Sequence, residues 1–317
     1  MVTALDCAYL AEDVYSREDN RLAQSEGWRR LDAQNWSNGF AAGLYEKNGE
    51  RVIAFRGTET DDVEDLIADA HMVPAASPRQ IQRVVPTLLN EYGVGDRTEM
   101  QVGGAMLGGI LSSLEARAAT AVLANQVPPE QTQQAESYLR RQSTPPTYLT
   151  GHSLGGALAK VIALRSGIAC VAFNSPFMGH LRGVVPMSSE QIISINARLD
   201  PLSLATRTVG NPPHGPVIEV ETARCRSVPP SRPRDYECPR VGSDWYMSEQ
   251  GIYGYMATAF CEVTRPIGAA VTASERYLEY EQGLLRHLGE AALHYHSMGN
   301  LRASMMPMPR FRRSLGH

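Results

Sequence analysis

The stretch "YLTGHSLGGALAKVIA", residues 148–163, constrains the path of this chain more than any other. An apolar run ends at Gly151, and an alanine-rich run begins at Leu154. Between them Gly151-His152-Ser153-Leu154-Gly155 spell G-x-S-x-G. That pattern lets a strand reverse sharply into a helix with serine at the apex, because a Cβ at either glycine would collide with a neighbouring element. The serine hydroxyl then stands at a helix N-terminus, where backbone amides can share a developing negative charge. Ser153 is therefore a candidate nucleophile.

The flanking pattern sets the fold class. Residues 3–15 read as an amphipathic helix, and "FAAGLYEKNGERVIAFRG" reads as a hairpin turning at Asn48-Gly49. Helices are expected around 63–70, 81–92 and 105–124, and a Pro-started one in "VPPEQTQQAESYLRRQ". Strand "PTYLTG", helix "LGGALAKVIALRSG" and strands "IACVAFNSP" and "QIISINA" follow. Strands alternating with helices predict an α/β fold with a central, mostly parallel sheet flanked by helices. From about 206 to 266 the pattern breaks, with five arginines and four prolines within "RCRSVPPSRPRDYECPR". This segment is expected to be an irregular insertion. "VTASERYLEYEQGLLRHLGEAALHYH" reads as a long terminal helix, and 303–317 as a loosely held tail. The whole, 1–317, is expected to form one domain.

A serine hydroxyl becomes a nucleophile when a histidine takes its proton and a carboxylate orients that histidine. On an α/β-hydrolase topology the order is serine, acid, histidine. Asp200 fits the acid, because "QIISINARLDP" is an apolar strand running into Asp-Pro; the alternative is a residue that only initiates the turn before Pro201. Asp235 and Asp244 are weaker candidates. Among the later histidines, His214 lies among prolines, His287 lies inside the helix and His317 is terminal. His294 and His296 fall near the helix end and point in different directions, so only one can serve, and His296 is favoured. His152 cannot usefully reach its neighbour's hydroxyl and is expected to pack or hydrogen-bond beside the turn. The amide of Leu154 is one candidate oxyanion donor, and the end of "VIAFRGTET" supplies a second.

These pieces resemble the class 3 lipase family, which includes fungal triacylglycerol lipases and bacterial phospholipases. The resemblance is carried by Val52-Ile53-Ala54-Phe55-Arg56-Gly57-Thr58, "DLIADA", Gly151 to Ala159, "VAFNSPFMG" and "INARLDPLS", in family order over residues 40–204. It implies an α/β-hydrolase fold with a lid region. It also implies that Thr58 gives the second oxyanion amide and that Asp69 steadies that loop; otherwise Asp69 is a helix-surface carboxylate. The chain departs from the family where "QVGGAMLGGI" replaces the usual Val-His-x-Gly-Phe, and in the length of the 206–266 insertion. An apolar flap for lipid access could come from "SDWYMSEQGIYGYMATAF" or "GGAMLGGIL", although such stripes also serve as plain core.

The resulting expectation is a serine carboxylester hydrolase acting on a lipid ester, at a membrane or lipid interface, with no cofactor and no metal. A phospholipase toxin with an immunity protein is an alternative within that class. A peptidase or acyltransferase is another reading, and a catalytically silent binding module is the alternative of a different class. A net charge of −4 gives no reason to expect nucleic acid as a partner. No apolar run reaches a membrane span, and the acidic start "MVTALDCAYLAED" lacks the basic, apolar signature of a signal peptide. A soluble protein is expected, cytoplasmic or exported without an N-terminal signal. Of five cysteines, Cys7, Cys170 and Cys261 read as buried thiols, and Cys225 with Cys238 could form a bridge.

Overall fold

Thr3 starts the first helix. Its hydroxyl accepts the Asp6 amide at 3.0 Å, and the Asp6 carboxylate accepts the Thr3 amide at 2.9 Å, a reciprocal cap on α1 (Ala4–Asp13). The computed structural model describes residues 1–16, 21–35, 40–57, 92, 129–176, 191–208, 213–227, 229–231 and 271–315. After α1 come α2 (Arg21–Ser25), β1 (Arg29–Asn35), β2 (Ala41–Lys47) and β3 (Glu50–Phe55). Asn48 and Gly49 hold φ of 52° and 81°, the left-handed pair that a two-residue hairpin turn requires. The remaining elements are α3 (Pro129–Arg140), β4 (Tyr148–His152), α4 (Leu154–Ser166), β5 (Ala169–Phe173), β6 (Ile192–Ala197), α5 (Pro201–Thr208), β7 (Val217–Val220), α6 (Val271–His296), α7 (Met298–Met305) and a 3₁₀ turn (Pro309–Arg312).

The seven strands form one sheet in sequence order. β1 to β3 are antiparallel, and β3 to β7 run parallel. Alternate side chains of each strand feed opposite faces. Val52 and Ala54 join α1, α7 and the 3₁₀ turn on one side, where Leu10, Leu301, Met305 and Phe311 pack. Ile53 and Phe55 join α4 on the other, against Leu158 and Ile162. The C-terminal ends of β3, β4, β5 and β6 therefore lie side by side, with Phe55 paired to Gly151 and His152 to Phe173.

Two expectations are corrected. The 206–266 region is not irregular throughout, since β7 adds to the sheet beside β6 and α5 extends to Thr208. Nor is 303–317 loose through residue 315. Phe311 is 2% exposed in the α1-side core, the Leu315 amide donates to Val2 O at 2.9 Å, and Tyr148 Oη donates to Leu315 O at 2.9 Å. One buried aromatic anchors a tail whose composition reads as solvent-exposed. β1 was not expected at all; it is a mostly polar edge strand whose only apolar residues are Leu31 and Ala33. Cys225 is a free thiol, and Cys238 lies outside the described residues. The expected helices at 63–70 and 105–124, both flap segments, and all of 81–92 except Tyr92 also lie outside them.

Two carboxylates fix α1 to the sheet. Asp13, 1% exposed, accepts Arg30 Nη2 at 2.6 Å, Tyr45 Oη at 3.0 Å and the Ala23 amide at 2.9 Å. Asp6 accepts Trp28 Nε1 at 2.7 Å and Lys47 Nζ at 3.1 Å. A buried carboxylate is tolerated when its lone pairs are filled in this way.

The anchoring role of Phe311 is testable. Phe311→Ala should destabilise the fold by about 3–5 kcal/mol, through lost burial and the cavity left behind. Urea denaturation measures it, and an unchanged midpoint would return the tail to a loosely held status.

Candidate active site

Ser153 sits where β4 turns into α4, with φ 57° and ψ −127°. Such a conformation costs a non-glycine residue about 1–3 kcal/mol. Its surroundings hold it there: the Ser153 amide donates to Phe173 O at 3.0 Å, and Ser153 O accepts the Ala157 amide at 3.1 Å. The approach of α4 to β3 explains Gly155. A Cβ there would lie 2.2 Å from Phe55 O and 2.7 Å from the Gly57 nitrogen, both backbone atoms. Leu154 is the first residue of α4, so its amide is one of the helix donors without an intrahelical acceptor.

Asp200 serves two partners. Its Oδ2 accepts the Ser203 amide at 2.7 Å and also the Ser203 hydroxyl, which caps α5. Pro201 at the first helical position suits that start. Oδ1 lies 2.6 Å from His296 Nδ1. The turn-initiating and histidine-facing readings of Asp200 are therefore both realised, one oxygen each. His296 is the last residue of α6, and its Nε2 lies 2.8 Å from Ser153 Oγ. The carboxylate accepts a hydrogen bond from Nδ1–H, and this tautomer leaves Nε2 as acceptor for the serine hydroxyl. All three residues are buried.

The structure thus brings Ser153, Asp200 and His296 into one hydrogen-bonded chain, with Leu154 beside them. His294 points elsewhere, its Nε2 donating to Ala223 O at 2.7 Å. His287 is buried against Tyr92 O at 2.7 Å and Ser227 Oγ at 2.9 Å. Thr58 and Asp69 lie outside the described residues. Among the described residues no group of three or more His, Cys, Asp and Glu is placed to hold a metal ion. No helix described is long and apolar enough to cross a membrane.

Sequence reasoning missed Asn174. Its Nδ2 donates to His296 O at 2.9 Å and Tyr295 O at 3.2 Å, while Oδ1 accepts the Ala197 amide at 2.7 Å. This side chain joins the ends of β5, β6 and α6. The available signal was an asparagine ending an apolar strand, since it adopts φ 40° more readily than most residues. Tyr92 was missed too. Its hydroxyl donates to Leu199 O at 3.1 Å, and its ring stacks on Tyr295 at 5.3 Å, so it touches the neighbours of both Asp200 and His296. Lys160, buried on α4, donates to Pro176 O at 3.1 Å, and burial pulls its ammonium down to about 8.

The parallel sheet, the strand-to-helix turn and the side chains at the strand ends define an α/β-hydrolase fold. The model of the lipase (class 3) family matches residues 52–201, and the resemblance to that family is shown over this segment. Two of the solved structures similar to the chain are propeptide complexes of the Rhizomucor miehei lipase. The native complex is 16% identical at a TM-score of 0.33, covering 63% of this chain and 61% of that one. A deletion mutant is 15% identical at a TM-score of 0.36, covering 69% and 66%. The chain thus spans less than two thirds of the first of these and about two thirds of the second. No protein of curated function matches.

His152 is neutral in the folded chain, pulled from 6.5 down to about 3 by burial first and by His296 second. An unfolded chain protonates this residue near pH 6.5. The folded pKa is depressed, so the contribution is present above pH 6.5 and lost as pH falls toward 3. Its slope is up to about 1.4 kcal/mol per pH unit. Denaturation midpoints should fall from pH 6.5 to 4, and His152→Gln should flatten that decline. Parallel declines in the two proteins would contradict the assignment.

Proposed function

We propose that this chain is a serine carboxylester hydrolase that acts on lipid esters. The observation that carries the reading is the chain of contacts from Asp200 through His296 to Ser153. Ser153 Oγ attacks the ester carbonyl carbon while His296 Nε2 takes its proton, and Asp200 holds the imidazole in the required tautomer. The tetrahedral oxyanion is stabilised by the amides of Leu154 and Thr58, with Asp69 steadying the loop that carries Thr58. His296 then returns the proton to the leaving alcohol, and the acyl-enzyme is hydrolysed by water activated at the same imidazole. This route uses protein groups alone. The class 3 lipase match supports a lipid ester as the substrate class.

Two variants test the reading. Purified protein should release fatty acid or nitrophenol when offered a phospholipid, a triacylglycerol and a short-chain nitrophenyl ester. Ser153→Ala should abolish turnover, and Asp200→Asn should lower kcat about 10⁴-fold by favouring the wrong tautomer. Release from phospholipid would assign a phospholipase, and release from triacylglycerol a neutral-lipid lipase. Cleavage of amides or transfer to alcohols in place of hydrolysis would redirect the assignment to a peptidase or acyltransferase. No serine-dependent turnover, together with no labelling of Ser153 by a fluorophosphonate, would leave a silent binding module.

A further inference from the structure

The partners of His152 allow one proton assignment. Nε2 lies 2.7 Å from the carbonyl oxygen of His296, and a carbonyl only accepts, so Nε2 carries the hydrogen. Nδ1 of the neutral ring is then an acceptor, and the Tyr15 hydroxyl at 3.1 Å donates to it. The Tyr15 oxygen accepts the Gly57 amide, also at 3.1 Å. The direction of donation is consistent throughout, from Gly57 to Tyr15 to His152 to His296. The rings support the path, with His152 4.7 Å from His296 and Tyr15 set edge-on to His152 at 6.0 Å.

We propose that Tyr15 and His152 are positioning residues, forming a relay that ties the segment after β3 to the backbone of His296. Gly57 directly precedes Thr58, so one hydrogen-bonded chain joins the backbone at Gly57 to the backbone of the base. This inference rests on the reading of Ser153, Asp200 and His296 as the catalytic residues. Neutrality of His152 suits the role, because a cation at that distance would oppose the positive charge His296 gains when it takes the serine proton. Asn174 also holds His296 O, so loss of His152 loosens the base without freeing it. The expected loss is therefore smaller than removal of a catalytic group would give.

The test is kcat and KM on a soluble short-chain nitrophenyl ester, with thermal unfolding recorded for every variant. Tyr15→Phe and His152→Leu should each lower kcat about tenfold and leave KM within about twofold. His152→Gln extends an amide donor to where Nε2 lies and should recover most of the rate. His152→Asn, too short to reach His296 O, should not. If His152→Leu fails to fold, Tyr15→Phe decides, since it keeps the ring. Full rate in Tyr15→Phe, or a Gln variant no better than Leu at equal thermal stability, overturns the relay. Ser153→Ala run alongside separates the failures: retained turnover there overturns the catalytic reading beneath the relay and the relay with it.

Discussion

The site depends on two stretches of backbone in contact with nothing between them. Gly155 lies so close to Phe55 O and the Gly57 nitrogen that even a methyl group would part them. This contact brings α4 onto the end of β3, next to the turn where Ser153 holds its positive φ. The cost of that conformation is about 1–3 kcal/mol, and a single neutral hydrogen bond contributes about 1 kcal/mol. No one bond holds the turn. Its stability comes from packing on both sides of the sheet, so the local geometry is inherited from the whole core.

Asp200 shows how a buried charge is accommodated next to this turn. Taking a carboxylate out of water costs several kcal/mol, which attraction to one histidine does not reliably offset. Here one oxygen is occupied by α5 and the other by His296. The helix cap satisfies the charge whatever the state of the histidine. The carboxylate is thereby held at a fixed orientation from which Nδ1 of His296 can be directed. Tyr92 and Asn174 extend the same logic to the backbones on either side.

Much of this arrangement was legible in the sequence because it depends on local pattern. The Asn48-Gly49 turn, the apolar runs of β3 to β6 and the glycines around Ser153 each specify their own geometry. That only one of His294 and His296 could face the serine was legible, because residues two apart on a helix point about 160° apart, and His296 was the one preferred. The rest depends on distant partners. β1 carries only Leu31 and Ala33 as apolar residues because it is a half-exposed edge, and β7 is four residues in an Arg- and Pro-rich region. Phe311 reads as one aromatic in a basic tail until the α1-side core is seen around it. Tyr15 carries no motif of its own, and Asn174 lies in "VAFNSPFMG" without anything there that names its partner. Their partners lie 137 and 122 residues away, and no periodicity encodes such pairings.

The pairing of residues 314 and 315 with Thr3 and Val2 has a consequence for the order in which the molecule is built. α1 emerges before every other described element, yet its outer neighbours α7 and the 3₁₀ turn emerge after all the others. One face of the sheet therefore stays incompletely covered until residues near 315 have left the ribosome. His296 is made in the same late stretch, as is the carbonyl to which His152 bonds. Closure of the core and completion of the site thus coincide in time, and a nascent chain that stops short of residue 296 has neither.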